Sequence, residues 1–137
     1  MESGGADMNP LNNPWQKYNS KKITIDGIIF ASKREAKHYE FFKAQKAAGE
    51  ISDFKMQVSF VLVPTQTEGV TVFDKKGNHK TKTKVVEHAV KYVADFVVTD
   101  IDGSMTVYDV KGFPTPVYGI KRKLMRYVHG IAIQELK

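Results

Sequence analysis

The stretch VVEHAVKYVADFVVTDIDGSMTVYDVK, residues Val85 to Lys111, decides the fold. Val85 to Val98 is rich in β-branched and aromatic residues and reads as one long strand. Asp100 to Gly103 turns the chain, and Met105 to Lys111 returns as a second strand. Asp109 and Lys111 stand two apart on that strand, so they share a face. Asp95 lies 14 positions upstream of Asp109. Directly paired residues share a face, so Asp95 meets Asp109 only across a connection of odd length. A five-residue loop, Asp100 to Ser104, sets Thr99 against Met105 and Asp95 against Asp109. A two-residue Asp102-Gly103 turn would set Asp95 against Val110, on the wrong face. The expectation is therefore a three- or five-residue loop, or a bulge.

Asp95 interrupts a run of Val, Tyr, Ala, Phe and Val, where Asp is disfavoured. A buried carboxylate is costly without a partner. Lys111 offers one answer, a structural ion pair. A hard divalent cation offers the other, because paired carboxylates hold Mg²⁺ or Mn²⁺ through oxygen. Two close aspartates repel, which also favours a cation. Phosphodiester hydrolysis needs an attacking water, charge stabilisation at the phosphate and help for the leaving oxygen. A metal with an adjacent lysine supplies these.

Working outward, Ile23 to Phe30 reads as a short hairpin around Asp26-Gly27. Ser32-Lys-Arg-Glu35 matches a capping box and opens a helix to about Ala48, with Gly49 as its stop. Glu35, Tyr39 and Phe42 share one stripe of that helix, expected to face the rest of the domain. Glu35 has two readings, a cap residue and a member of the site. Val58 to Val63 is a strand closed by Pro64. Asp74 to Lys84 carries five lysines around Gly77-Asn78 and reads as an exposed basic loop or hairpin arm. After Gly112, a helix spans Val117 to His129, Gly130 stops it, and Ile131 to Glu135 forms a last strand. Met1 to Gln16 is small, polar and proline-interrupted, an expected flexible tail in which Met8 is a candidate natural start. Trp15 and the aromatics of 39–42 read as packing anchors. The order predicts a single-domain α/β (α+β) fold over residues 17–137, a central mixed sheet flanked by two helices.

The 137 residues suffice for one core without staples. Hydrophobic residues make up 42% and charged residues 26%, which places the chain among ordinary globular domains. Absence of cysteine excludes disulfides, thiolate zinc sites and cysteine nucleophiles. No apolar run is long enough for a membrane span and no signal-peptide pattern opens the chain, so a cytoplasmic protein is expected. Lys+Arg number 21 against 15 Asp+Glu, a net charge of +6, which favours a polyanionic partner. His38, His79, His88 and His129 have no metal-ligand spacing and read as surface or packing residues.

Ala94-Asp95-Phe96 and Asp109-Val110-Lys111 resemble the PD-(D/E)XK nuclease superfamily, with Asp95 as the first acid and Asp109-Val110-Lys111 as D-x-K. Ala94 departs from the proline of the motif. The resemblance implies a restriction-endonuclease-like fold and a divalent ion, Mg²⁺ or Mn²⁺, held by Glu35, Asp95 and Asp109. Lys111 would then assist the water. The wider pattern, Asp26-Gly27, Phe30-Ala-Ser-Lys-Arg-Glu35, Gln57, Asp95-Phe96 and Asp109-Val-Lys-Gly112, then Lys121 to Lys123, is similar to a family of small tailed-phage proteins. It covers about Lys17 to Glu135. It implies a DNA endonuclease of phage replication, recombination or branched-DNA processing, such as a Holliday junction resolvase, acting in the host cytoplasm. A homodimer would suit such an enzyme, since two symmetric cuts need two sites.

Lys121, Arg122, Lys123 and Arg126 on the last helix are candidates for gripping phosphates, with a solvated helix face as the other reading. Lys80, Lys82 and Lys84 are candidates for a DNA-binding arm, although lysines also blunt free strand edges. Gln57 is a candidate accessory residue. Two other readings of the whole chain stand beside the nuclease: a non-catalytic basic DNA-binding accessory protein, and a phage factor that binds a host protein.

Overall fold

The computed structural model describes residues 22–111 and 113–137. The expected tail, Trp15 and Gly112 lie outside these residues. Among these residues the protein is α+β, with two helices and a mixed multi-stranded sheet. Its contacts divide it into two compact units between Glu50 and Ile51.

In the first unit, β1 (Ile23–Ile25) and β2 (Ile28–Phe30) form the expected hairpin. Its two turn residues both take positive φ, 53° at Asp26 and 77° at Gly27. A two-residue connection needs that backbone to match strand twist, and Asp-Gly supplies it at little cost. Helix α1 (Lys33–Ala47) follows, with Ser32 as its N-cap. The Ser32 hydroxyl accepts the Glu35 amide at 3.1 Å, so this half of the capping box forms. At the other end the Glu50 amide donates to Gln45 O at 2.9 Å, around Gly49 at φ 76°. Ala36, Tyr39 and Phe42 are the buried face of α1, and Glu35 is half-buried beside them. Tyr39 stacks 5.1 Å from Phe30 and donates its hydroxyl to Asp26 Oδ2 at 2.8 Å. Lys43 reaches the same oxygen at 2.6 Å. Hairpin and helix are thus tied by one aromatic pair and one charged contact.

In the second unit a four-stranded sheet runs in the order β3 (Asp53–Val63), β6 (Val90–Thr99), β7 (Met105–Val110), β8 (Gln134–Leu136). The first two pairings are antiparallel and β7–β8 is parallel. Strands β4 (Gln66–Phe73) and β5 (His79–Glu87) pair in a two-stranded sheet of their own. Helix α2 (Pro116–His129) lies on β3 and β6. Thr115 caps it by accepting the Tyr118 amide at 3.1 Å, Pro116 opens it, and Gly130 ends it at φ 68°. Its inner side chains, Tyr118 and Met125, join Leu62, Tyr92, Ala94, Val97, Val107 and Ile133 in one core cluster.

Three expectations need correction. Val85 to Val98 is not one strand: it breaks at His88-Ala89, opposite Pro64-Thr65, between the Val63–Val90 and Gln66–Glu87 pairs. Proline has no amide to give to a ladder, so a break on one strand forces one on its neighbour. The strand expected from Val58 starts at Asp53, and Gln57 lies inside it. The last strand is Gln134–Leu136, because Ile131 and Ile133 turn into the core before pairing begins.

The loop of odd length is as expected. Thr99 pairs with Met105, leaving the five residues Asp100 to Ser104 between strands. The Asp100 amide donates to Ser104 O at 2.8 Å, and Gly103 takes φ 88° inside the turn.

Candidate active site

The β6–β7 ladder runs from Thr99–Met105 to Phe96–Tyr108 and stops there. Asp95 and Asp109, next in sequence on the two strands, lie just beyond its last pair. The β3–β6 ladder skips one position, between Met56–Phe96 and Val58–Ala94. That position holds Gln57 and Asp95, and Gln57 takes φ 55°, in the left-handed region. For a residue other than glycine this costs about 1–3 kcal/mol. The inward alternation changes at the same place. Tyr92 and Ala94 face the core cluster, and then Val97 and Val107 join it. Between Ala94 and Val97 the parity shifts, which lets Tyr92 on one side of the switch reach Asp109 on the other.

Asp95 sits in this gap with both oxygens engaged. Oδ2 accepts the Val110 main-chain amide at 2.8 Å, and Oδ1 accepts the Gln57 side-chain amide at 3.3 Å. Burial pushes its carboxyl above the ordinary range, the Val110 amide pulls it back, and the charge of Asp109 pushes it up again.

Asp109 is the one buried charged side chain among the described residues, 3% exposed. Oδ1 accepts the Tyr92 hydroxyl at 2.9 Å. Lys111 Nζ lies 2.9 Å from Oδ2. The contact is electrostatic only, because Oδ2 has no partner at hydrogen-bonding angles. The ammonium also sits 4.0 Å above the centre of the Tyr118 ring. The structural ion pair expected between Lys111 and Asp95 is thus replaced by one between Lys111 and Asp109. Asp95 is held by amides.

Tyr118 donates its hydroxyl to Glu135 Oε2 at 2.7 Å, and Arg122 Nη1 lies 3.7 Å from that oxygen. Glu135 pairs with Asp109 in the β7–β8 register. Burial raises both Tyr92 and Tyr118 from the ordinary phenol value, so both remain donors. Tyr92, Tyr118 and Glu135 are the members that sequence reasoning missed. The available signal was a tyrosine hydroxyl in an apolar strand or buried helix face, which needs a partner.

The structure brings Gln57, Asp95, Asp109 and Lys111 together. Glu35 belongs to the first unit, in the first turn of α1. Lys121 is half-buried on α2. Arg122, Lys123 and Arg126 line a surface pocket of about 240 Å³ with Ala132 and Ile133. Lys80, Lys82 and Lys84 are on β5, in the other sheet. His129 Nε2 donates to Val61 O at 2.7 Å and the ring packs edgewise on Phe60, so it is a packing residue as expected.

Among the described residues no group of three Asp, Glu or His side chains is arranged to hold a metal ion. The donor set still fits a hard cation. Two carboxylates lie close enough to feel each other's charge, and the buried Asp109 Oδ2 meets only the Lys111 ammonium, so oxygen donors are at hand. Mg²⁺ is commonly bound by only one or two carboxylates with waters and substrate phosphates completing its shell.

These features define an α+β protein with an acid–lysine cluster where two ladders of a mixed sheet give way. The chain belongs to the family described as Protein of unknown function (DUF1064), whose model matches residues 15–135. No curated protein and no solved structure matches it. No helix of the described residues is long and apolar enough to cross a membrane.

Proposed function

We propose that this protein is a divalent-metal-dependent DNA endonuclease of PD-(D/E)XK type. The observation that carries the reading is the Asp95 carboxylate held on the Val110 amide, close enough to Asp109 to feel its charge, with the Lys111 ammonium on Asp109. Asp95 and Asp109 would hold Mg²⁺ or Mn²⁺, and Glu35 is a further candidate ligand. The cation supplies Lewis acidity, easing deprotonation of water and offsetting charge on the phosphate. Tyr92 fixes one Asp109 oxygen and so aims the other. Lys111, held over the Tyr118 ring, would orient the water or stabilise developing negative charge. Lys121, Arg122, Lys123 and Arg126 would hold the phosphate backbone, and branched DNA is the substrate class that the sequence resemblance suggests. A host-cell cytoplasmic location and a homodimer belong to the same proposal.

Asp109→Asn is the test, because it keeps the shape of a buried side chain. Cleavage of a panel of duplex, single-stranded and branched DNAs with Mg²⁺ or Mn²⁺ should fall by at least about a hundredfold, the scale on which catalytic groups act. Undiminished cleavage in this variant overturns the assignment. The closed Asp109–Lys111 pair favours one second reading, a non-catalytic DNA-binding protein. Wild-type protein that binds these DNAs and cuts none of them with either metal selects it.

A further inference from the structure

The β4–β5 ribbon has no account in the catalytic reading. It continues the β3–β6 pair beyond the Pro64 break, and every residue of β5 is exposed. β4 is eight residues long, which makes the ribbon about 26 Å at roughly 3.3 Å per residue. A two-stranded ribbon without a core is marginal alone in water. Its apolar content is half-buried Val70 and Val72, with Val85 and Val86 exposed at the base and Phe73 near the tip 70% exposed. Its charge is ordered. Lys80, Lys82 and Lys84 alternate on β5, so they share one face, opposite Val72, Val70 and Glu68. The other face carries no lysine, with Thr71 opposite Thr81, Gly69 opposite Thr83 and, toward the tip, Phe73 against His79. Lys75 and Lys76 sit in the tip turn, where Asp74 is spent on accepting the Lys76 and Asn78 amides.

We infer that the β4–β5 ribbon is a grip for duplex DNA, lying in the major groove with its lysine face toward the nucleic acid. The inference rests on the reading of the protein as acting on DNA. Two strands about 4.8 Å apart fit a groove about 12 Å wide. Ammonium groups on alternate residues, about 6.6–6.8 Å apart along the strand, reach phosphates and base edges without crowding one another. Lys82 and Lys80 stand opposite half-buried Val70 and Val72, so their long stems have apolar surface to cover. The occupant follows from charge complementarity. A second copy of this chain would bring the same lysines against each other, and lysines on free edges oppose strand-to-strand pairing.

The experiment compares Lys80→Gln/Lys82→Gln/Lys84→Gln with its arginine counterpart, both in the Asp109→Asn background to prevent cutting. Circular dichroism first establishes that both fold. Fluorescence anisotropy then measures binding to a short duplex and to its single strand over about 50–200 mM salt. The glutamine variant should lower the slope of log affinity against log salt by about 2–3 on duplex, nearly one unit per lost phosphate contact. The arginine variant should keep the slope, and the single strand should lose less. An unchanged duplex slope overturns the inference, as does an equal loss on single strand. Sedimentation showing self-association that the glutamine substitutions abolish also overturns it, in favour of an interface between copies. Failure here is distinct from failure of the nuclease reading, which depends on cleavage and its loss in Asp109→Asn alone.

Discussion

The main-chain amide of Val110 donates to the Asp95 carboxylate at 2.8 Å, just past the last pair of the β6–β7 ladder. A side chain has taken the place of a strand partner. Once the strands part there, the amide would otherwise be left inside the protein, and an unpaired buried donor costs about 1–3 kcal/mol. The aspartate therefore has a structural task in addition to its proposed chemical one.

The two tasks separate in Asp95→Asn. Burial holds the Asp95 carboxyl above its ordinary value of 3.8, so the folded state keeps its proton more firmly than the unfolded chain. The associated stability is fully present below the unfolded value and is lost as pH rises through the folded one. At neutral pH the ionised carboxylate thus opposes folding. Asparagine keeps an oxygen for the Val110 amide and carries no charge. Its melting temperature should exceed wild type near neutrality, and the gain should disappear as pH falls toward 3.8. Mg²⁺ or Mn²⁺ should raise the wild-type melting temperature and leave the variant unmoved. A variant less stable than wild type at pH 7 contradicts the argument.

Gln57 yields a prediction of opposite character. Its backbone is left-handed at φ 55°, where glycine rests without strain and alanine does not. Gln57→Gly should be more stable than Gln57→Ala by about 1 kcal/mol, reversing the order usual inside a strand. Both lose the hydrogen bond to Asp95, so both should slow metal-dependent cleavage. Chemical denaturation measures the first effect and single-turnover rates the second. Alanine proving the more stable would show that the conformation carries no strain.

The acid pair was legible because strand periodicity and loop parity are local. Residues 95–109 contain all that sets Thr99 against Met105. The Asp26-Gly27 turn and the Ser32 and Thr115 caps were equally local, although only the first two were read. The rest depends on distant residues. The break at His88 follows from Pro64, on the neighbouring strand. Tyr92 and Tyr118 reach Asp109 and Glu135 through the sheet and its covering helix, each across 17 positions. The left-handed Gln57 carries no glycine to announce it. Lys111 read from sequence as a partner for Asp95, and the structure sets it 2.9 Å from Asp109 instead.

Tyr118 tests how Lys111 is held. Its ring lies under the ammonium, while its hydroxyl faces away toward Glu135. Tyr118→Phe keeps the ring and gives up one hydrogen bond, worth about 0.5–1.5 kcal/mol of stability. Tyr118→Leu also gives up the cation–π contact, about 0.5–2 kcal/mol. Under saturating metal the leucine variant should cleave more slowly than the phenylalanine variant, with a larger change in the pH profile. Equal rates in the two would mean that the ring does not position Lys111.

Asp26 offers a pH test on a contact made wholly within the first unit. The Lys43 and Tyr39 hydrogen bonds hold its carboxyl below 3.8, Lys43 contributing more. A depressed acid contributes stability above its unfolded value, and that contribution is lost as pH falls through the folded one. Asn suits φ 53° and precedes glycine well in this turn, so Asp26→Asn leaves the hairpin backbone in place and removes only the charge. Hydrogen exchange at the Ile28 to Phe30 amides should be faster in the variant at neutral pH. The difference should shrink with added salt, because the Lys43 contact is solvent-exposed. It should vanish once both forms are uncharged in acid. A difference that persists there would assign the effect to the turn and not to the carboxylate's contacts with Tyr39 and Lys43.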